Sequence, residues 1–197
     1  MKSENKNFTQ VGRGFTLTEI MVAMGIFVII VYLTASMFYS FGSPATAVQA
    51  RVFVITQARQ TAERITWELM QASVTRTFLD AAERSIKFKL PVEYPNGSLK
   101  VSDEGELFWG NRYTEGNFIE YIWDNATGNL SRLSLDNSSL PITNTQTVIA
   151  QNVTNFDIVA NNATYEFNLS ISLDSYMGVS LRFPVTYNTS FSVTVQN

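Results

Sequence analysis

The chain has 197 residues, 45% of them hydrophobic and 13% aromatic, which supplies one modest core plus an appendage and excludes a wholly disordered chain. It contains no Cys and no His, so disulfides, thiol nucleophiles, zinc sites of the N/S type and every triad using imidazole as base are excluded. Net charge is −3, and residues 1–14 carry Lys2, Lys6, Arg13 and Glu4, a sum of +2, so the remainder stands at −3 − 2 = −5; an acidic body argues against phosphate-backbone binding, and no nucleic-acid partner is expected.

Residues 1–14 are short, polar and net basic. They lead through Gly14-Phe15-Thr16-Leu17-Thr18-Glu19 into Ile20 to Phe41, a run of 22 residues without a charge. At 1.5 Å per residue that run makes about 33 Å of helix, against a hydrocarbon layer of about 30 Å. The spacing therefore predicts a transmembrane helix bounded by Ile20 and Phe41. Lys2, Lys6 and Arg13 precede it and the next charge is Arg51, so the positive-inside rule places the N-terminus in the cytoplasm and the body across the membrane. Two simpler devices fit part of this pattern. Ala45-Thr46-Ala47 before Val48 offers a signal-peptidase-like cut, although an h-region is usually about 7–15 residues. In a plain single-pass anchor, Glu19 would only answer the positive end of the helix dipole.

Gly14, Phe15-Thr-Leu-x-Glu19 and the apolar helix that follows resemble the type IV pilin and type II secretion pseudopilin superfamily. The resemblance implies that prepilin peptidase cuts between Gly14 and Phe15, that Phe15 is N-methylated, and that Glu19 pairs with the N-terminal amine of a neighbouring subunit during assembly. It also implies storage in membrane lipid before assembly, and as partners other pilin or pseudopilin subunits and an inner-membrane assembly platform. The expected location is the bacterial inner membrane, with the head periplasmic or extracellular, and then the pilus or pseudopilus. A carboxylate–ammonium pair in low dielectric fixes register more than it adds affinity, because desolvating both ions offsets their attraction.

Past the run, Gly42-Ser43-Pro44 predicts a kink or local unwinding. Helical periodicity then resumes with Val48, Val52, Ile55, Ala58, Ala62, Ile65, Leu69 and Ala72 as an apolar stripe, expected to lie on a sheet of the same chain. Arg64/Glu68 is expected on a solvated face, and residues 15–78 as one long, bent helix.

After about Asp80 the pattern turns to period two, bounded by Pro95-Asn96-Gly97 and Thr127-Gly128-Asn129. Expected strands are 86–90, 107–110, 118–123, 130–135, 148–150, 156–160, 165–173 and 191–195. The clearest hairpin joins Phe118–Asp124 to Leu130–Leu133 across Asn125-Ala-Thr-Gly-Asn. With Val148-Ile-Ala-Gln-Asn-Val-Thr-Asn-Phe-Asp it resembles the minor pseudopilin J and PilW-type minor pilin group. The family's tip subunit usually lacks the acid present here as Glu19, and the size of the head implies a low-copy minor subunit.

No catalytic residue is assigned, and no cofactor or metal is expected. Asp103, Glu104 and Glu106 around Gly105 lack the ligand spacing of an EF-hand loop and read as a solvated turn. Trp67, Trp109 and Trp123 are expected in core or hairpin packing. The fold class expected is α+β, a long N-terminal helix, transmembrane and then amphipathic, on a mostly antiparallel β head, pilin-like. Its parts are a cleaved basic leader at 1–14, an assembly helix at 15–43, an amphipathic helix at 44–80 and a head at 81–197. The function expected is a minor pilin or pseudopilin, not an enzyme, in the priming or tip complex of a type II secretion pseudopilus or type IV pilus. The alternative is an exported β-domain binding protein or hydrolase with a signal peptide or simple membrane anchor.

Overall fold

A computed structural model describes residues 16–80 and 82–195, and for 39–44 and 182 the backbone alone. Helix α1 spans Leu17–Met70, and the chain divides into two compact units after Pro44. In the first unit the residues from Leu17 to Phe38 form a helix long and apolar enough to cross a membrane, with a mean hydropathy of 2.4 and none of it buried. This window has the same length as the expected span and begins three residues earlier. Helix is the form in which such a run satisfies its own backbone without water. Even the hydroxyl of Thr34 is answered internally, donating to Ile30 O at 2.7 Å. The helix continues through Gly42-Ser43-Pro44, so the local unwinding expected there is absent; proline forfeits one backbone bond, and the turns on either side keep theirs.

In the second unit, α1 buries Ala50, Val54, Ala58, Thr61, Ile65 and Leu69, and Ala72 just past its end is buried as well. The expected stripe is buried at Ala58, Ile65, Leu69 and Ala72, only half-buried at Ile55 and Ala62, and displaced at its start, since Val48 and Val52 are 62% and 59% exposed. The helix also ends earlier than residue 78. Gln71 and Ala72 donate to Glu68 O and Leu69 O, three residues back, which tightens the last turn. A single 3-10 turn, Val74–Arg76, follows. Val74, Thr75 and Thr77 are β-branched and lose rotamer freedom in a helix, and from Thr77 the chain gains a strand partner instead.

The strands are β1 (Thr77–Asp80), β2 (Ser85–Phe88), β3 (Leu90–Pro91), β4 (Trp109–Gly110), β5 (Phe118–Asp124), β6 (Asn129–Leu135), β7 (Thr147–Ala150), β8 (Val153–Asn161), β9 (Thr164–Tyr176) and β10 (Val179–Thr194). They form a five-stranded sheet in the order β1-β2-β5-β6-β7, a three-stranded sheet β10-β9-β8 and a two-stranded β3-β4. Every strand pair is antiparallel. The expected antiparallel α+β body is therefore present. Four strand segments differ from expectation: β1 replaces the last helical turns, the expected 86–90 strand is divided between β2 and β3 in different sheets, the expected 107–110 strand shortens to Trp109–Gly110, and β10 begins at Val179 rather than near 191.

The β5–β6 hairpin turns on Asp124. Its carboxylate accepts from Ala126 N at 2.9 Å and Thr127 Oγ1 at 2.7 Å, and Gly128 N closes onto Asp124 O at 2.8 Å. Gly128 supplies the left-handed backbone, φ 67°, that this closure requires. These bonds hold the Asp124 carboxyl below its ordinary value, the Thr127 hydroxyl contributing most.

The core lies between the helix and the sheets. Ile65 and Leu69 of α1, Ile86, Phe88, Ile119 and Tyr121 of the larger sheet, and Phe156, Phe167 and Ile171 of the smaller one belong to one buried cluster. Burying each large aliphatic or aromatic side chain contributes about 1.5–3 kcal/mol. Phe167 stacks on Phe191 with ring centres 4.9 Å apart and rings 9° from parallel. Trp123 Nε1 donates to Val153 O at 3.2 Å, tying the larger sheet to the start of β8.

Candidate functional site

The first expected site is the start of α1. Gly14 and Phe15, the residues assigned to processing by resemblance, lie outside the described residues. Glu19 lies in the first turn of α1, exposed, and its carboxylate is not isolated. Oε2 accepts from Thr16 N at 2.9 Å and from Thr16 Oγ1 at 2.9 Å, while Glu19 N donates to Thr16 Oγ1 at 3.3 Å. This reciprocal pattern is a capping box, in which each residue satisfies a donor that the helix leaves open at its start. The spacing Thr-x-x-Glu carried that signal in the sequence.

Downstream of the cap, Ile20 is 52% exposed and Phe27, Tyr32 and Phe38 are 66%, 72% and 76% exposed. Phe41 lies in α1, past the window that ends at Phe38. The first part of the helix thus joins a capped carboxylate to a continuous apolar surface that none of the described residues covers.

The second feature is a polar seam inside the head, which sequence reasoning placed in solvent. Glu68 is 6% exposed. Its Oε1 and Oε2 both accept from Arg132 Nε at 3.0 Å, Tyr121 Oη donates to Oε2 at 2.9 Å, and Arg64 Nε stands 3.7 Å from Oε1. Tyr121 and Arg132 sit directly opposite each other on β5 and β6, so one cross-strand pair closes on one helical carboxylate. Burial, and then the neighbouring Glu68 charge, push the Tyr121 phenol far above its ordinary value. The alternation in β5 and β6 placed both residues on one face. No periodicity of α1 indicates that Glu68 is buried, since an acid one turn after an arginine ordinarily marks a wet face.

Beside this seam an open groove of about 530 Å³ runs between α1 and β10, lined by Arg59, Glu63, Trp67, Met70, Tyr187 and Phe191. Trp67 is 54% exposed here, with Arg112 4.6 Å over its ring, which corrects its expected core position. Trp123 is buried, and Trp109 is half-buried under Arg76. On the outer face, Lys87 Nζ stands 3.4 Å from Glu120 Oε1 without a directed hydrogen bond. Asp103, Glu104 and Glu106 occupy a turn in which Ser102 Oγ accepts from Glu104 N and Glu106 N. Among the described residues, no group of three or more acidic side chains is placed to hold a metal ion.

No family model matches this chain, and no curated protein or solved structure matches it either.

Proposed function

We propose that the chain is a non-enzymatic filament subunit of the type IV pilin and type II secretion pseudopilin kind, a minor subunit held in the inner membrane until it is assembled. The observation that carries this reading is α1 itself. One helix carries a capped acid in its first turn, forms a 22-residue apolar window from Leu17 to Phe38 of which none is buried, and then contributes to the buried core of a β-rich head. An apolar surface of that length has two natural occupants, lipid and other helices of its kind, and a subunit stored in lipid before joining a helical bundle uses both.

Glu19 supplies the step between them. In the single chain its carboxylate is held by Thr16. When cleavage after Gly14 makes Phe15 the N-terminus, the amine of a neighbouring copy or relative replaces the backbone donor. The exchange conserves hydrogen bonding and adds an ion pair that sets the axial register of one helix on the next. Prepilin peptidase and an inner-membrane assembly platform are the partners this route requires.

The capping box also favours the second reading, a simple anchor on an exported β-domain, since Glu19 has a partner without any neighbour. Mass spectrometry of the mature N-terminus separates them. Methylated Phe15 supports the filament subunit, Met1 supports the simple anchor, and Val48 supports a cleaved signal peptide.

A further inference from the structure

Strand β10 forms one margin of the three-stranded sheet, and from Val185 to Thr194 it pairs with β9 in unbroken register. Val195 N donates to Ala163 O at 2.8 Å, so the odd-numbered residues of β10 turn their backbone groups toward β9. In the intervening pairs, which exchange no backbone bonds, side chains stand closer. There Thr194 meets Thr164 at 3.0 Å and Thr186 meets Ser172 at 2.9 Å, hydroxyl to hydroxyl. Thr186, Asn188, Ser190, Ser192 and Thr194 therefore direct N–H and C=O away from the sheet. Among the described residues no backbone group answers them.

An open edge is ordinarily blunted by charge, proline, a bulge or shortness. The other margins of the two larger sheets use these devices: β1 and β7 are four residues long, and Asp157 of β8 stands 3.7 Å from Arg84. In β10 they stop at Pro184, where the register also breaks. Residues 185–195, Val-Thr-Tyr-Asn-Thr-Ser-Phe-Ser-Val-Thr-Val, carry no charge and no proline. The residues with outward backbone all bear a hydroxyl or amide and are exposed.

Such a run is self-complementary. Laid antiparallel on a second copy about Ser190, it sets Thr186 opposite Thr194, Asn188 opposite Ser192 and Val185 opposite Val195. Each pair of outward residues then exchanges two backbone bonds. Hydroxyl and amide side chains meet on one face, and on the other Tyr187 meets Val193, an aromatic and β-branched pair that stabilises cross-strand contact. This register uses the whole run between Pro184 and the end of the strand at Thr194. Centring on Asn188 instead would bring Pro184, which has no N–H, opposite Ser192.

The groove beside α1 favours the same occupant. Tyr187 and Phe191 line it from either side of Ser190 and are half-buried, while Trp67 and Met70 on α1 are 54% and 55% exposed. It carries one charge of each sign, Arg59 and Glu63, so two copies meet there without net repulsion. A two-fold axis through Ser190 joins the two grooves over one continuous sheet and takes their apolar walls out of water.

We propose that the head forms a two-fold dimer in which β10 of one copy pairs antiparallel with β10 of the other about Ser190, making one six-stranded sheet from two of three. All of these residues belong to the unit that begins at Ala45, so the pairing does not depend on the apolar segment before it or on the filament reading.

The chain has no cysteine, so single-cysteine variants of the full chain in detergent report the register directly. The two copies of residue 190 would stand about 5.5 Å apart, whereas those of residue 192 would be offset by four residues, about 14 Å. With a short bifunctional thiol reagent, Ser190→Cys is expected to give about tenfold more crosslinked dimer than Ser192→Cys, and Asn188→Cys mixed with Ser192→Cys to crosslink between unlike chains. Ser190→Lys sets two ammonium groups across the axis, and should convert the parent's dimer to monomer in sedimentation with unchanged circular dichroism. Equal crosslinking at 190 and 192 indicates collision through the apolar segment and overturns the proposal. So does a parent that sediments as a monomer, or a Ser190→Lys variant that remains a dimer. Capture of a different protein by Ser190→Cys in cells, with no self-crosslink in the purified chain, assigns the edge to a foreign strand and likewise overturns it.

Discussion

Arg132 Nε lies 3.0 Å from both carboxylate oxygens of Glu68, joining strand β6 to helix α1 across 64 residues of sequence. Both groups are largely shielded from water, the side chains being 18% and 8% exposed. Removing one partner therefore strands the other charge in the interior, which costs about 3–5 kcal/mol. Glu68→Ala is expected to lose about 3 kcal/mol in urea or guanidinium unfolding, the lower end because Arg132 retains some water. Exchanging Glu68, Arg132 and Tyr121 together for apolar residues of similar volume should lose much less, since the stranded charge is then gone as well. A triple variant as unstable as Glu68→Ala would refute this assignment of the cost.

Tyr121 makes the head sensitive to alkali. Its phenol is raised in the folded chain by burial and by Glu68, so the folded protein keeps a proton that the unfolded chain releases near pH 10. The stabilisation is fully present below that value and declines as pH rises above it. Tyr121→Phe forgoes one hydrogen bond to a charged acceptor, about 1.5–3 kcal/mol at neutral pH. It should also unfold with a shallower pH dependence between pH 10 and 11.5, followed by circular dichroism. Equal slopes for both proteins would exclude Tyr121 as the source.

Gly110 is crowded by backbone rather than by side chains. A Cβ at this position would collide with the carbonyl oxygen of Thr114, which belongs to the loop that returns onto β4. Backbone cannot rotate away as a side chain can, so Gly110→Ala is expected to cost about 1–3 kcal/mol, as overpacked sites do. A thermal midpoint equal to the parent's would show that the 111–116 loop is free to shift.

Phe167 is wholly buried between Phe156 and Phe191. Phe167→Ala is expected to remove about 3–5 kcal/mol, and Phe167→Leu considerably less. Since Phe191 also lines the groove beside α1, intrinsic fluorescence of Trp67 in that groove should change in Phe167→Ala. An unchanged Trp67 spectrum would mean that the stack and the groove are independent.

Glu19→Ala is expected to insert into the membrane at normal levels and to be depleted at least tenfold from purified filaments. Thr16→Val, which keeps the backbone donor and removes the hydroxyl, should assemble nearly normally, because the proposed partner in the filament is an amine from another subunit. Equal loss in both variants would assign the effect to the cap rather than to assembly.

Much of this architecture was written plainly in the chain. The uncharged run after Glu19 has one physical reading as a helix, and β9 alternates strictly enough to fix which residues face inward, whereas in β6 the core face takes Leu130, Arg132 and Ser134 and leaves Leu133 and Leu135 on the other side. Three features were less legible. Val74 to Asp80 continues a spacing compatible with helix, and only its pairing with β2 decides for strand. The part of β10 before Phe191 carries Pro184 and Asn188, which read as loop, and it is recruited because β9 offers a long open edge. Glu68 looked like half of an exposed ion pair, because its cross-strand partners lie some 53 and 64 residues away and their convergence is a property of the folded sheet. At the N-terminus the Thr-x-x-Glu spacing was visible, but the prominence of a lone acid beside an apolar run drew the reading toward a distant partner before the local one.

The seam at Glu68 has a mechanical consequence. Thr61 Oγ1 reaches Ile149 O at 3.3 Å on β7, just as Glu68 reaches Arg132 on β6, so two turns of one helix are pinned to two neighbouring strands. A tug along the helix axis loads both pins sideways at once, and sliding by one turn in one direction would set Ile65 against the polar groups vacated by Glu68. Such a joint does not creep under load. It holds its setting until it fails, so the helix and the two strands of the head move as one piece.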